Sequence, residues 1–265
     1  MEGFFRYGKG KIHYSDQGSG EVIFLLHGYL ETADVWRSFA GKLAVNFRVI
    51  TVDLPGHGES GMFGEVHTME FMADAISGLV KNLGIRKIFL TGHSLGGYVA
   101  LAFLDLHAEM LSGYCLFHSQ PFSDTEEALK KREREIKLVE AGKKDLMYPE
   151  NISRMYAPAS LPEFSGSLQR SKEIASTIPG EGIIAVLKGM MERPSRLSVM
   201  EEGRVPCLWI LGTSDNYIDC VQIQKKVHLP ENAELVILKN SGHLGFIEEE
   251  DLSIIILGDF IKKLT

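Results

Sequence analysis

Six short apolar runs recur along the chain, and segments with helical periodicity separate them. The runs are VIFLLHG from Val22, FRVITVDLPG from Phe47, KIFLTG from Lys87, GYCLFHS from Gly113, VPCLWILG from Val205 and ELVILKN from Glu234. Short and almost wholly apolar runs are typical of strands that are buried on both faces of a parallel sheet. Strands that alternate with helices require crossover connections. We therefore predict an α/β fold with a mostly parallel central sheet flanked by helices.

The segments around these runs complete the predicted core. Alternation near the N-terminus predicts a hairpin that turns at residues 8–10. Apolar residues at helical spacing predict helices over 33–44, 68–83, 95–107, 217–227 and 247–262. A chain of 265 residues can fold around one core of this kind.

Residues 121–202 interrupt the alternation, since they show helical periodicity and no convincing strand. Ser123 or Asp124, followed by Glu126 and Glu127, predicts an N-cap for the first helix of this segment. Further helices are predicted around 151–156, 162–176 and 182–192. An insertion of this length is more typical of a lid than of a loop. We therefore predict a core of residues 1–120 and 203–265, with a helical lid inserted between strands 6 and 7 over the carboxyl ends of the strands.

Composition and charge disfavour several classes of protein. The net charge of −7 disfavours a nucleic-acid partner, because phosphate binding needs a concentrated positive field. No apolar stretch is long enough for a membrane span, and no secretory signal is apparent. The three cysteines have no Cys-x-x-Cys spacing, which disfavours a redox pair or a structural zinc site. We expect a cytoplasmic protein, and the oligomeric state stays open.

The segment Gly92-His93-Ser94-Leu95-Gly96 lies between a predicted strand and a predicted helix. Gly-x-Ser-x-Gly in this context is typical of a nucleophile elbow, in which a sharp turn lifts the serine hydroxyl above the sheet. The glycines allow strand and helix to approach closely. The backbone N–H of Leu95, at the start of the helix, would face a developing oxyanion. Ser94 is therefore the candidate nucleophile.

A serine nucleophile needs a base and an acid that orients the base. In this architecture the chain order is serine, acid, histidine. Asp215 and His243 each follow a predicted strand, so both are expected at the same edge of the sheet as Ser94. Asp124 is a second candidate acid, although a helix-capping role explains it equally well. Asp219 is expected to belong to the helix that follows.

The loop after the first apolar run supplies further candidates. The backbone N–H of Tyr29 is the predicted second oxyanion donor. His27, Gly28, His93, Met155, Tyr156 and Met190 are candidate substrate-pocket residues. The nearby DLPGHGES turn is expected to be structural, with Asp53 and Ser60 accepting from backbone amides. The histidines lack acidic or cysteine partners at ligand spacing, so we expect no metal.

The motifs HGY, DLPGHGES, GHSLGG, GTSD and SGH occur in an order that resembles the α/β-hydrolase superfamily. The resemblance covers nearly the whole chain and implies the α/β-hydrolase fold, a Ser94/Asp215/His243 triad, Tyr29 and Leu95 amides as the oxyanion hole, and no cofactor. Serine at position 94 argues against the branches that use a carboxylate nucleophile. The segment GMMERPSRL, residues 189–197, resembles the end of the lid in carboxylesterase, peroxidase-like and C–C hydrolase branches.

These features predict a serine hydrolase that cleaves a small or medium carboxylic ester or thioester through an acyl-enzyme. Two alternatives stay open. One is a C–C bond hydrolase or lyase that uses the same triad, although Leu244 stands where C–C hydrolases often place tryptophan. The other is a ligand-binding receptor with little turnover. The physiological substrate is not predicted.

Overall fold

The computed structural model describes residues 1–264 and contains an eight-stranded sheet in the order β1-β2-β4-β3-β5-β6-β7-β8. The strands are β1 (Glu2–Tyr7), β2 (Gly10–Gly18), β3 (Val22–Leu26), β4 (Arg48–Val52), β5 (Ile88–His93), β6 (Leu111–Phe117), β7 (Cys207–Gly212) and β8 (Ala233–Leu238). Strands β1 and β2 form the predicted hairpin, and β2 pairs antiparallel with β4. All other pairs are parallel. The prediction of a mostly parallel sheet built from the six apolar runs is confirmed.

Helices cover the sheet and connect its strands. They are α1 (Arg37–Leu43), α2 (Met69–Asn82), α3 (Leu95–His107), α4 (Glu126–Glu140), α5 (Tyr148–Ser153), α6 (Ser165–Thr177), α7 (Gly180–Glu192), α8 (Leu197–Glu201), α9 (Cys220–Gln224), α10 (Gly245–Glu248) and α11 (Glu250–Lys263). Short 3-10 helices cover Ala33–Trp36, Ala108–Met110 and Lys144–Leu146. Helix α3 buries nine of its residues against β5 and its neighbours, which fixes the position of the turn before it.

Two helix predictions near the C-terminus differ from the structure. The segment predicted over 217–227 contains only α9, because Asp215 Oδ1 accepts from the Tyr217 and Ile218 amides and holds the preceding residues in a turn. Asp219 then caps α9, as expected. The helix predicted over 247–262 is divided into α10 and α11 at Glu249, whose backbone is not helical.

Helices α4 to α8 lie between β6 and β7, so the segment 121–202 is helical and contains no strand. The predicted N-cap was wrong. Thr125, rather than Ser123 or Asp124, caps α4 by accepting from the Ala128 amide. Within residues 1–264, no single helix has the length and composition of a membrane span, and only α6 and α7 together pass that test, across a bend of 95°.

Candidate functional site

Ser94 occupies the sharp turn between β5 and α3. Its φ of 48° and ψ of −108° lie in a region that residues with a Cβ rarely adopt. The neighbouring glycines allow this turn, since a Cβ on Gly96 would lie 2.5 Å from the carbonyl oxygen of Leu26. The Ser94 backbone is held by the Phe117 carbonyl, which accepts from its N–H at 3.0 Å, and by the Ser119 hydroxyl, which donates to its C=O at 2.7 Å. This is the strained geometry that an elbow requires.

His243 follows β8 and lies against Asp215, which follows β7. The His243 Nδ1 is 2.7 Å from Asp215 Oδ2, and the Asp215 side chain is fully buried. Burial alone would raise the pKa of the Asp215 carboxyl, but the charge of His243, the nearby ring of His118 and the hydrogen bond from His243 lower it far below its ordinary value. A buried carboxylate therefore fixes the His243 ring with Nδ1 toward Asp215. The other ring nitrogen, Nε2, is not bound to this carboxylate.

Ser94 and His243 line one cavity of about 610 Å³. No hydrogen bond joins the Ser94 hydroxyl to His243 among residues 1–264. Hydrogen bonds between catalytic groups are often long without substrate and shorten only in the complex. The structure thus brings the predicted serine and histidine to the same cavity, with the predicted acid behind the histidine.

Asp124, the alternative acid, is engaged elsewhere. Its carboxylate accepts from Arg132 at 2.6 Å and lies 2.8 Å from a guanidinium nitrogen of Arg193. Burial raises the pKa of Asp124, but these two arginines bring it below its ordinary value. The structure therefore places Asp215, and not Asp124, against His243.

His118 is a buried residue at this site that the sequence reasoning missed. It follows β6, its Nε2 accepts from the Gly245 amide at 3.1 Å, and its Nδ1 lies 3.5 Å from Asp215 Oδ2. Because Nε2 is an acceptor, Nδ1 carries the ring proton, and it lies near Asp215 without meeting the geometry of a hydrogen bond. His118, Asp215 and His243 also offer ligand atoms within 4.8 Å of one another. The hydrogen bonds of His243 to Asp215 and of Gly245 to His118 hold the three side chains in place without a metal.

Stability should fall as the pH is lowered from 6.5 toward 4, and His118 should contribute to this fall. Burial lowers the pKa of His118 from 6.5 to about 4. Between these values the unfolded chain takes up a proton that the folded chain excludes, which costs about 1.4 kcal/mol per pH unit for one group. Above pH 6.5 both states are neutral and the effect disappears. His57, whose pKa burial lowers to about 3, adds to the same slope.

Urea unfolding of the wild type and of His118→Asn, measured at several pH values in this window, tests the effect. In the variant we expect a smaller slope of unfolding free energy against pH. The decrease should equal the contribution of about one proton, which is about 1.4 kcal/mol per pH unit. An unchanged slope would contradict the assignment of His118 as buried and neutral.

The two predicted oxyanion donors come from different parts of the fold. Tyr29 is on the cavity wall, and Leu95 is the first residue of α3. Neither amide donates a hydrogen bond to another of residues 1–264. Leu30, next to Tyr29, has a φ of 63°, so the loop makes a tight left-handed turn at this point.

Two of the six candidate pocket residues line the cavity, and the other four do not. Met155 and Met190 lie on the cavity wall. His27, Gly28, His93 and Tyr156 are buried and do not line this cavity, so their assignment to the pocket stays a prediction. His27 accepts from the Leu54 amide, and Tyr156 is hydrogen-bonded to Ser171. His27 and Tyr156 thus form hydrogen bonds with other buried polar groups, which is the usual role of a fully buried polar side chain.

The cavity wall is more polar than a simple acyl pocket. Helix α4 contributes charged residues to it, and the loops after β6 and β7 contribute amides and a tyrosine. The charged wall residues are Asp124, Glu127, Lys131, Arg132, Arg134, Glu135 and Arg154. The DLPGHGES turn lies apart from this wall and is structural, as expected. Asp53 accepts from the Ala33 and Glu59 amides, and Ser60 accepts from the His13 amide.

Known proteins resemble this chain in sequence and structure. A dihydrolipoyllysine-residue acetyltransferase component of an acetoin cleaving system from Pseudomonas putida is 27% identical over 86% of this chain, which spans only 60% of that protein. A putative 2-succinyl-6-hydroxy-2,4-cyclohexadiene-1-carboxylate synthase from Bacillus subtilis is 26% identical, with 94% of each chain covered. A thermophilic esterase from Thermogutta terrifontis, solved with malate bound, has a TM-score of 0.92 and 27% identity, over 100% of this chain and 99% of the esterase.

The eight-stranded, mostly parallel sheet with flanking helices agrees with this resemblance. A sequence model described as the alpha/beta hydrolase family matches residues 23–252, most of the chain. The chain belongs to the alpha/beta hydrolase family.

Proposed function

We propose that the protein is a serine hydrolase that cleaves a carboxylic ester or thioester through an acyl-enzyme at Ser94. One observation carries this proposal: Ser94, in a strained turn, lines the same cavity as His243, whose other face is held by the buried carboxylate of Asp215. A hydroxyl, an imidazole and an orienting carboxylate are the groups that acyl transfer to water needs. The family consists of hydrolytic enzymes, which agrees with this choice.

In the proposed reaction His243 Nε2 takes the proton of the Ser94 hydroxyl while the oxygen attacks the ester carbonyl carbon. The carbonyl oxygen becomes an oxyanion that accepts from the Tyr29 and Leu95 amides. Collapse of this intermediate breaks the ester bond, and the leaving alkoxide takes the proton from His243. Water then attacks the acyl group in the same way and releases the acid. Asp215 keeps Nδ1 protonated and stabilises the imidazolium.

We further propose that the segment 121–202 acts as a lid. Helix α4 supplies one side of the cavity wall, and the carbonyl of Met155 accepts from the His243 backbone N–H at 2.6 Å. The segment is therefore in direct contact with the loop that carries the proposed base. A cover of this kind would exclude water from the reacting carbonyl and strengthen the interactions with its oxyanion.

The purified protein should hydrolyse p-nitrophenyl acetate or butyrate, and a fluorophosphonate probe should label Ser94. A protein that binds these compounds without hydrolysing them, and that the probe does not label, would instead be a receptor with this fold. The label is located by mass spectrometry of the peptide that contains Ser94. Heat-denatured protein serves as the control for non-specific labelling.

A C–C bond hydrolase or lyase is the second candidate function. The name of the Bacillus subtilis relative and the basic residues on the cavity wall favour it, because such substrates carry carboxylates. Turnover of a vinylogous diketone acid, compared with the same protein's turnover of simple esters, separates the two candidates. A preference for the diketone acid by more than about tenfold in kcat/KM would favour C–C cleavage.

A further inference from the structure

Several basic side chains lie on the wall of the Ser94 cavity, and two of them, Lys131 and Arg154, lie near one another. Arg154, at the end of α5, makes no ion pair within residues 1–264. Among the residues that the structure describes, Lys131, on α4, has only Glu135 as an ion-pair partner, at 3.8 Å. Glu135 also accepts from the Tyr29 hydroxyl and from the Asn151 side-chain amide.

Lys131 and Arg154 are close enough to affect one another. Burial lowers the pKa of the Lys131 ammonium, and the positive charges of Arg154 and Arg132 lower it further against the opposing charges of Glu135 and Glu150. Like charges that face one cavity destabilise each other, and an anion bound between them would remove that repulsion.

Tyr217 connects this basic pair with the proposed catalytic base. The Lys131 ammonium lies 5.0 Å from the centre of the Tyr217 ring, and the same ring lies 5.1 Å from the ring of His243. Tyr217 and Arg154 are on the same cavity wall as Ser94. An ester placed at Ser94 can therefore extend along Tyr217 toward the two cations.

We propose that Lys131 and Arg154 form a subsite for a carboxylate group carried by the substrate, so that the enzyme prefers anionic esters to neutral ones. This inference rests on the proposed ester hydrolysis at Ser94 and names its substrate class. The carboxylate lies a few bonds from the reacting carbonyl, on either the acyl or the alcohol side. Charge-assisted hydrogen bonds to the arginine and the lysine hold it.

The test compares kcat/KM for matched pairs of esters that differ in one carboxylate. A p-nitrophenyl hemisuccinate against the butyrate reports on the acyl side, and an acetylated hydroxybenzoate against phenyl acetate reports on the alcohol side. We expect at least one anionic ester to be preferred by about tenfold or more, which corresponds to about 1.4 kcal/mol. The Lys131→Gln/Arg154→Gln double variant should lose this preference, whereas Lys137→Gln, an exposed position on the same helix, should retain it.

Neutral esters preferred on both sides, or a preference that the double variant retains, would overturn the subsite. Hydrolysis of neither ester class, with no label on Ser94, would instead overturn the proposed function. The two failures are therefore distinguishable. High salt should weaken the preference in the wild type more than in the double variant, because exposed charges are screened.

A second inference comes from a separate pair of buried side chains, Glu31 and His93. His93 is fully buried, with Nδ1 2.8 Å from Glu31 Oε2 and Nε2 2.8 Å from the carbonyl oxygen of His243. The same Glu31 oxygen accepts from the Gly28 amide at 2.5 Å. Burial alone raises the pKa of Glu31, but the charge and hydrogen bond of His93 and the Gly28 amide bring it below its ordinary value.

The hydrogen bonds determine where the protons lie. A carbonyl oxygen only accepts, so His93 Nε2 must donate to His243. The other ring nitrogen, Nδ1, faces Glu31 Oε2, so hydrogen bonds hold both nitrogens of His93. The pair leaves no room for a side chain at position 28, since a Cβ there would lie 2.6 Å from His93 Nδ1.

The geometry assigns Glu31 and His93 as positioning residues for the proposed oxyanion hole and base. Glu31 folds the loop that carries the Tyr29 amide back onto Gly28, through the left-handed turn at Leu30. His93 precedes Ser94 and holds the backbone of His243. One buried, hydrogen-bonded pair thereby connects all three parts of the site without touching substrate.

Glu31→Gln tests this role. The single amide oxygen of glutamine is a weaker acceptor than the carboxylate oxygen that meets both the Gly28 amide and His93 Nδ1, so the loop and the ring should shift. We expect kcat to fall about 10- to 100-fold, as for misplaced catalytic groups, with KM changed much less. Affinity for a trifluoromethyl ketone, which forms a tetrahedral oxyanion, should fall in parallel with kcat. Glu70→Gln, which removes the partner of Arg196 away from the cavity, controls for loss of stability alone.

A kcat within about twofold of wild type, or a lower kcat with unchanged affinity for the ketone, would overturn the assignment. If Glu31→Gln does not fold, His93→Gln provides the same test, because its amide can donate to the His243 carbonyl but has no second ring nitrogen to bind Glu31. We expect the same parallel loss of kcat and ketone affinity in that variant, and retention of both would overturn the role.

Discussion

Replacing Ser94 with alanine should reduce ester hydrolysis by at least about 10⁴-fold, because the proposed acyl-enzyme cannot form without its hydroxyl. The turn itself should persist, since strand β5 and helix α3 hold it on both sides and alanine has the same Cβ as serine. Activity is measured as kcat/KM for a p-nitrophenyl ester, with circular dichroism and thermal unfolding as checks on folding. Turnover within tenfold of wild type would contradict the role of Ser94.

Ser94→Gly is a matched variant that separates catalysis from strain. It removes the hydroxyl as well, so we expect the same loss of activity. Glycine tolerates a positive φ without strain, whereas Ser94 adopts it at a cost of about 1–3 kcal/mol. Glycine is also more flexible in the unfolded chain, which offsets part of this gain. We therefore expect Ser94→Gly to be more stable than the wild type by about 1 kcal/mol, or about 2–4 °C in Tm. A melting temperature below that of Ser94→Ala would argue against strain at this position.

Replacing Asp215 with asparagine should reduce turnover by about 10⁴-fold. The carboxylate oxygen Oδ1 accepts from the Tyr217 and Ile218 amides, so the oxygen of an asparagine would take that position and its NH₂ would face His243. His243 Nδ1 would then become an acceptor, and its proton would move to Nε2. A protonated Nε2 cannot take the proton of Ser94, and the base is lost.

Asp124→Asn is the control for this prediction, because Asp124 is the other candidate acid. It should lower turnover by less than about tenfold. It should instead lower the free energy of unfolding by about 3 kcal/mol, because Arg132 and Arg193 lose a buried partner. Kinetics and urea unfolding of both variants test the assignment. The opposite result, with turnover lost in Asp124→Asn and retained in Asp215→Asn, would exchange the two acids.

The sequence predicted those features that depend on strand ends and local turns. Parallel strands end at one edge of a sheet, so the positions of Ser94, Asp215 and His243 after β5, β7 and β8 already bring them to that edge. The glycines around Ser94 are read from local spacing alone. These predictions needed no knowledge of which helix face meets the sheet.

Features that depend on contacts between distant residues could not be predicted in this way. Glu31 and His93 lie 62 positions apart, and nothing in either local sequence shows that they form a pair. Hydrophobic spacing predicts that α4 is a helix, but not that its Lys131 faces the cavity. The capping residue of α4 was misassigned because Ser123, Asp124 and Thr125 are all good caps, and tertiary pairing of Asp124 with two arginines decides among them.

Trapping the acyl-enzyme tests the central claim most directly. The protein is mixed with a p-nitrophenyl ester, quenched with acid during the first turnovers, digested and examined by mass spectrometry. We predict an early burst of p-nitrophenol close to the enzyme concentration and an acyl group on the peptide that contains Ser94, absent from Ser94→Ala. Steady hydrolysis of the ester with no acyl group on Ser94, under conditions in which deacylation is slow, would contradict the account.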